Sequence, residues 1–204
     1  MKALSVTAIT AAALLAGCSQ QPVEAPLDGA WTLDAERSSL SFVSVKAAQV
    51  AEVHGFSGLQ GAVGADGEAS LQIDLATVET NIDIRNERMR DILFEVAEFP
   101  EAQVTLSLDP AQFAGLSEGE AMAVSVEATM DLHGASGTVP ADLVVTRIAD
   151  DLVKVETARP VVIAAATYGL AEGLEELATI AGLDSITAQV PVSASLVFAR
   201  QTAD

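Results

Sequence analysis

The sequence predicts an all-β protein, built either as a sandwich or as a closed barrel. Apolar residues recur at every second position over long stretches, and turn-forming residues separate these stretches at regular intervals. No helical pattern of the kind that connects parallel strands lies between them. Half of the 204 residues are hydrophobic but only 4% are aromatic, a composition that favours strands built from β-branched and small side chains.

The first 17 residues have the layout of a secretory signal peptide. Lys2 precedes an apolar run over residues 3–16, which is too short for a stable membrane span. Residues 15–18 read Leu-Ala-Gly-Cys and resemble a bacterial lipobox, in which the cysteine is acylated and becomes the first mature residue. We therefore expect Cys18 to be lipidated, the alternative being an ordinary signal peptide beside a coincidental cysteine.

A flexible tether is expected between the lipid and the folded domain. Residues 18–28 contain two prolines and no apolar periodicity, whereas residues 29–200 carry the strand pattern and residues 201–204 form a short tail. Ser19 follows the cysteine, which by resemblance to enterobacterial sorting rules favours the outer membrane. The sequence thus predicts a lipid-anchored protein on the periplasmic side of the cell envelope.

Two stretches carry the clearest alternation. Between Met122 and Leu132, and again between Ile186 and Phe198, apolar residues occupy every second position and mostly polar residues lie between them. Each stretch would span about 40 Å at roughly 3.3 Å per residue. These stretches therefore predict two long antiparallel strands with one apolar face each.

Shorter runs fit the same scheme. Further strands are predicted over residues 40–45, 71–75, 104–108, 139–148 and 152–156. Turns are predicted at Asp66-Gly67, Asp109-Pro110, residues 117–119 and Asp150-Asp151.

Two segments break the strand pattern and predict short helices. In residues 84–96, Ile84, Arg88 and Ile92 are spaced by four, and the pattern ends before Pro100. In residues 170–183, one stripe is apolar and glutamates lie outside it; the stripe comprises Leu170, Leu174, Leu177 and Ala181. Because this second helix is acidic, we expect it to lie over a barrel end rather than on an anionic membrane surface.

A series of short motifs, taken in chain order, suggests a family. The motifs are Trp31 to Asp34, Ser39 to Val45, Val53 to Gly58, Val78 to Asn81, Arg85, Met89, Arg90, Phe94, Phe99 to Ala102, Leu132 to Gly134 and Tyr168 to Leu170. Their order and spacing over residues 29–200 resemble the YceI-like family of secreted polyisoprenoid-binding proteins. The resemblance implies an all-β fold, an extended antiparallel lipocalin-like β-barrel around an apolar pore, with one or two short helices at the barrel ends.

The resemblance also implies a function, which is the non-catalytic binding or carriage of a polyisoprenoid lipid such as an isoprenoid quinone or prenyl lipid. The apolar faces of the two long strands are the candidate pore lining. These faces comprise Met122, Val124, Val126, Ala128, Met130, Val190, Val192, Ala194, Leu196 and Phe198. Because alternation does not reveal volume, a structural or adhesive surface lipoprotein with a filled barrel is an alternative.

A cluster of arginines and two histidines are candidates for holding a ligand head group. Arg85 and Arg90, with Arg88 between them, concentrate positive charge in a chain whose net charge is -19. His54 and His133 each precede a glycine, so they lie at bends or strand ends. The alternatives are that the arginines pair with acidic neighbours on a solvated helix and that the histidines are structural.

The remaining features argue against other functional classes. The acidic charge disfavours nucleic acid, and one cysteine with two histidines disfavours the common metal sites. No phosphate-binding loop is present, and neither histidine lies in a nucleophile-elbow context. We therefore expect no enzyme, cofactor or metal; the partners are a polyisoprenoid lipid and the membrane. The alternative is a hydrolase or isomerase acting on a prenyl ligand.

Overall fold

The computed structural model describes residue 27 and residues 29–201, and twelve strand segments within them form the wall of a closed antiparallel barrel. The segments are β1 Trp31–Leu33, β2 Ser39–Lys46, β3 Val50–Phe56, β4 Leu59–Val63, β5 Glu68–Asp74, β6 Val78–Glu79, β7 Glu101–Ser107, β8 Ala121–Leu132, β9 Ala135–Ala149, β10 Leu152–Thr157, β11 Val161–Ala164 and β12 Gln189–Arg200. The predicted all-β fold class is therefore confirmed, and the closed barrel excludes the sandwich.

Four pairs of segments continue one another, so the described segments make eight strands of an up-and-down barrel. The pairs are β1 with β2, β3 with β4, β5 with β6, and β10 with β11. In each pair both segments are hydrogen-bonded to the same neighbouring strand of the barrel, so together they form one interrupted strand. The barrel closes where β12 pairs with β1 and β2 on one side and with β10 and β11 on the other. Full closure removes the exposed sheet edges that an open sheet would present.

The β8–β9 hairpin contains the longest continuous pairing of the barrel wall. Its register joins Leu132 to Ala135 across a two-residue turn formed by His133 and Gly134. Both turn residues have positive φ, 51° and 73°, as the tightest hairpin turns require. Glycine meets this requirement without strain, and histidine is among the side chains that tolerate it.

Buried side chains fill one end of the barrel. A 3₁₀ turn, Pro110–Phe113, lies between β7 and β8 and begins at Asp109, whose carboxylate accepts a hydrogen bond from the Ala111 backbone N–H. The turn brings Phe113 and Leu116 into the same buried cluster as Trp31 and Leu33. This end of the barrel is therefore packed rather than hollow.

Two helices cover the opposite end. They are α1, Asp83–Arg88, which continues into a π-helical segment over Met89–Leu93, and α2, Ala171–Ala181. A Cβ atom at Gly173 of α2 would lie 2.9 Å from the Ile92 carbonyl oxygen and 3.1 Å from Leu93 Cα. The helices approach this closely because α2 has no side chain at that position.

Several elements differ from their predicted bounds. The strands β1, β3, β4, β6 and β11 were not predicted, because they are short or carry polar residues on the inward face, as β3 does at Glu52 and His54. The helix predicted over residues 84–96 is α-helical only to Arg88. The buried residues of the π segment are Met89 and Leu93, so the four-residue spacing of Ile84, Arg88 and Ile92 does not mark the buried face.

The predicted signal peptide, Cys18, the tether up to residue 26 and residues 202–204 lie outside the described residues. None of the helices described over residues 29–201 combines the length and the apolar character that crossing a membrane requires.

Candidate functional site

The barrel encloses a cavity of about 600 Å³ with an almost entirely apolar wall. The inward faces of the strands form its sides, and residues of α1, the π segment and α2 form its cover. A volume of this size lies within the usual range for small-molecule sites. The interior is therefore a candidate ligand-binding site and not a filled core.

The two long strands contribute much of this wall. Nine of the ten predicted lining residues border the cavity: Val124, Val126, Ala128, Met130, Val190, Val192, Ala194, Leu196 and Phe198. Met122 does not border it, although Val145, its register partner on β9, does. The predicted α2 stripe of Leu170, Leu174, Leu177 and Ala181 also faces the cavity.

One part of the wall is aromatic. The Phe56 ring centroid lies 5.4 Å from that of Phe42 and 5.8 Å from that of Phe94, and the Phe42 ring lies 5.2 Å from the His54 imidazole. Alternation of Leu40 and Phe42 in the predicted strand was the signal that could have identified this part of the wall. The partners Phe56 and Phe94 become visible only when β2, β3 and the π segment come together.

The cavity reaches the surface beside α1. Ile82 and Ile84 both line it and are 46% and 51% exposed. Among the described residues, eight polar side chains line the cavity, and six of them gather near this mouth. These six are Ser44, Lys46, His54, Arg85, Arg88 and Thr187; the other two, Ser70 and Thr157, lie elsewhere in the wall. The cavity is therefore polar at its mouth and apolar along its depth.

Arg85 ties α1 to the barrel wall. Its guanidinium donates to Glu52 of β3 at 2.8 Å, to Thr80 Oγ1 at 2.9 Å and to the Thr80 carbonyl at 2.7 Å. Lys46 also contacts the Glu52 carboxylate, at 2.5 Å. The hydrogen bond from Lys46 and the nearby charge of Arg85 hold the pKa of Glu52 below its ordinary value. Glu52 thus offsets one of the three positive charges that Lys46, Arg85 and Arg88 bring to the mouth.

Arg90 and His133, two of the predicted head-group residues, do not line the cavity. Positions three apart share a helix face and positions five apart do not, so Arg88 joins Arg85 at the mouth and Arg90 points elsewhere. His133 Nε2 lies 2.9 Å from Glu95 Oε2, and its ring centroid lies 4.4 Å from that of Phe99. Across residues 29–201, no cluster of three or more His, Cys, Asp or Glu side chains could hold a metal ion.

His54 is the histidine of the cavity wall. It is only 5% exposed, and its Nε2 lies 2.8 Å from Ser44 Oγ. Its Nδ1 is buried without a hydrogen-bond partner among the described residues. Burial, and secondarily the positive charge of Arg85, lower the pKa of His54, so the imidazole is neutral at neutral pH.

The lowered pKa of His54 predicts a loss of stability in mild acid. The unfolded chain takes up a proton near the ordinary histidine pKa of about 6.5, at which the folded state does not. The contribution of His54 is therefore complete above that pH and is lost as the pH falls through it. Urea unfolding at about pH 7.5 and about pH 5.5 should show a larger loss for the parent than for His54→Phe. Equal losses would exclude His54 as the cause.

The closed barrel, its helical cover and its apolar cavity define the chain as a lipocalin-like ligand-binding barrel. The profile of the YceI-like domain matches residues 31–198. Because the match spans most of the sequence, the chain belongs to the YceI-like family. No curated protein gave a significant match.

Solved structures share this fold. A polyisoprenoid binding domain from Saccharophagus degradans, implicated in plant cell wall breakdown, is 44% identical with a TM-score of 0.82, over 84% of this chain and 98% of that domain. BcnA of Burkholderia cenocepacia is 19% identical with a TM-score of 0.63, over 81% and 98% of the two chains. The Campylobacter jejuni YCEI protein is 14% identical with a TM-score of 0.52, over 74% and 85%. The last two similarities concern the fold alone.

Proposed function

We propose that this protein binds or carries a polyisoprenoid lipid in its barrel cavity and does not change it chemically. The observation that carries the proposal is a cavity of about 600 Å³ that is apolar along its depth and polar at its mouth. This distribution suits a long hydrocarbon chain with a small polar head. The 44% identical Saccharophagus domain, described as polyisoprenoid binding, supports the same ligand class.

The apolar wall accounts for the affinity. Each buried methylene contributes about 0.8 kcal/mol, so one five-carbon isoprene unit contributes up to about 4 kcal/mol before the cost of ordering the chain. A few units therefore suffice for tight binding, and polar contacts at the mouth would mainly orient the ligand. The hydrocarbon end would enter first, because the deep wall of the cavity is apolar and its mouth is polar.

The alternatives differ in what they require. A structural lipoprotein with a filled barrel is disfavoured by the volume of the cavity. A hydrolase is favoured by one observation, the 2.8 Å contact between Ser44 Oγ and His54 Nε2, because a hydroxyl beside an imidazole is the start of a nucleophilic site. His54 Nδ1, however, has no carboxylate to orient it among the described residues. Binding without chemistry therefore agrees better with the geometry.

Mass spectrometry of an organic extract of the purified protein tests the proposal. We expect an isoprenoid quinone or prenyl lipid in near-stoichiometric amount, unchanged after prolonged incubation with the protein. A protein that carries no lipid and takes up none from added prenyl compounds would contradict the binding function. Conversion of the bound lipid into a product would instead favour the hydrolase.

The proposal includes attachment to the cell envelope through acylated Cys18. A Cys18→Ser change should release the protein from the membrane fraction, because stable anchoring needs more than one acyl chain and this residue would carry them. Fractionation of cells that produce each form gives the measurement, and outer-membrane residence is expected for the parent. A Cys18→Ser protein that stays in the membrane fraction would contradict the anchor.

A further inference from the structure

One stretch of the barrel wall has no backbone ladder. β9 pairs with β8 from Ala135 to Thr146, but with β10 only from Leu143 onwards. β10 and β11 form one interrupted strand between β9 and β12, so β11 is the expected neighbour of residues 135–142 of β9. In the part of the chain that the structure describes, however, no ladder joins these residues to residues 161–164 of β11. This gap between the two edges is the seam of the barrel.

A proline marks the unpaired edge of β9. The Ala158 backbone N–H donates to the Asp142 carbonyl at 2.8 Å, so the backbone groups of Asp142 point towards β10. Every second residue of an antiparallel strand points its backbone groups the same way, so those of Pro140 and Thr138 point into the seam. Proline has no N–H and is found in sheets chiefly at edges without a partner. A complete ladder therefore cannot form at this edge.

The seam separates the lipid cavity from a groove on the outer surface. The groove has a volume of about 350 Å³ and is lined by residues 138–142 of β9, residues 159–164, Thr167 and Tyr168. Four apolar residues border both the groove and the cavity: Val139, Ala141, Val161 and Ile163. At the seam the wall is therefore a thin layer of apolar side chains.

Side chains hold the two ends of the seam. At one end Arg159 contacts the Asp142 carboxylate at 2.5 Å, and the Arg159 side chain is 78% exposed. At the other end the buried Tyr168 lies over Gly137, where a Cβ atom would be 2.8 Å from the tyrosine hydroxyl oxygen. Exposed ion pairs contribute little to stability, so the end held by Arg159 is the weaker one.

We propose that the seam is a lateral opening of the lipid site, held shut by the Asp142–Arg159 ion pair, through which the hydrocarbon chain enters and leaves sideways. This inference rests on the proposed lipid-binding function. Opening the seam moves side chains and breaks no ladder, whereas opening the β8–β9 wall would break a continuous one. An end-on path through the mouth would instead carry the whole chain past the charged Lys46 and Arg88.

A crosslink across the seam tests the proposal. Thr138→Cys and Val162→Cys place thiols on the two sides of the outer groove, and Cys18→Ser removes the only other cysteine of the chain. A bifunctional thiol reagent with a reducible linker joins the thiols in the folded full-length protein. Stopped-flow fluorescence then measures the uptake and release of a fluorescent prenol.

The crosslink should slow exchange without changing affinity. An opening acts on both directions equally, so the rates of uptake and release should both fall more than about ten-fold while the Kd stays constant. Reduction of the linker should restore both rates.

A second crosslink supplies the matched control. Gln72 and Gln103 are register partners of the paired strands β5 and β7, and neither residue lines the cavity. Gln72→Cys with Gln103→Cys, linked in the same way, should leave both rates unchanged, because a backbone ladder already joins the two strands there. Equal slowing by the two crosslinks would overturn the assignment to the seam.

Breaking the ion pair should have the opposite effect. In Arg159→Gln the uptake and release rates should both rise about two- to five-fold, as the loss of one exposed ion pair allows. Lys154→Gln breaks a comparable exposed pair, with Glu156 of β10, and should change neither rate. Unchanged rates in Arg159→Gln would overturn the role of the ion pair.

The other outcomes are also decisive. Unchanged rates after the seam is crosslinked would show that the lipid passes through the mouth, which overturns the lateral opening. A crosslink that slows uptake alone, and so weakens binding, overturns it as well. If the parent itself takes up no prenol, the proposed lipid-binding function fails. Should the double-cysteine variant not fold or not link, the comparison of Arg159→Gln with Lys154→Gln decides.

Discussion

Replacing Val126 with phenylalanine is expected to empty the cavity of lipid while the barrel stays folded. Val126 lies in the middle of β8 and borders the cavity. An added ring would occupy space that the ligand needs without the roughly 1 to 3 kcal/mol penalty of overpacking a dense core. Excluding even one isoprene unit removes up to about 4 kcal/mol of binding, so extracted lipid per mole should fall more than about ten-fold.

The neighbouring residue gives the control. Glu127 is exposed on the outer face of the same strand, opposite Pro140 of β9. Glu127→Phe adds the same ring to the outside of the barrel, where neither the melting temperature nor the lipid content should change much. The two measurements on each variant are thermal melting and extracted lipid per mole of protein.

Two results would contradict the cavity as the binding site. If Val126→Phe melts much earlier and the parent contains no lipid, the interior behaves as a packed core and the structural lipoprotein is favoured. If Val126→Phe keeps both its melting temperature and its lipid, the ligand does not pass this point of the wall.

The barrel was predictable from the sequence because the alternation within each of its longest strands shows which face of that strand is apolar. In β8 a period of two separates inward from outward residues without reference to any partner strand, and the predicted stripe of α2 is equally local. Met122 belongs to the same stripe as Val126 but does not border the cavity, although its register partner Val145 does. Where a cavity ends depends on what fills the barrel end, and Phe113 and Leu116 reach that place from a loop.

The polar end of the site was less predictable because it is assembled across strands. His54 and Ser44 are ten residues apart, and only the β2–β3 register brings their side chains to 2.8 Å. Arg85 and Arg90 looked equivalent as charges near one another in the sequence. Helical geometry separates them, since the face that carries Arg85 to the mouth carries Arg88 with it.

Loss of the Arg147 side chain is expected to destabilise the filled end strongly. Arg147 is 1% exposed; its guanidinium donates to the Leu116 carbonyl at 3.0 Å and to Asp150 at 2.6 Å. Arg147→Ala would leave both a void and an unsatisfied buried carbonyl, at a combined cost of about 4 kcal/mol. Such a loss lowers the melting temperature by roughly 10 °C in a domain of this size.

Arg147→Met and Arg159→Ala separate the causes of this loss. Methionine keeps most of the buried stem and removes a guanidinium whose Nε has no partner among the described residues, so we expect a cost of about 1 to 2 kcal/mol. Arg159 pairs with Asp142 on the surface, where its side chain is 78% exposed, and Arg159→Ala should cost less than about 1 kcal/mol. Urea unfolding measures all three. Equal costs for Arg147→Ala and Arg159→Ala would show that Arg147 does not hold the Leu116 loop in place.

Because Arg147 does not line the cavity, the folded Arg147→Met protein should retain its lipid. A loss of lipid would show that the filled end is part of the binding site.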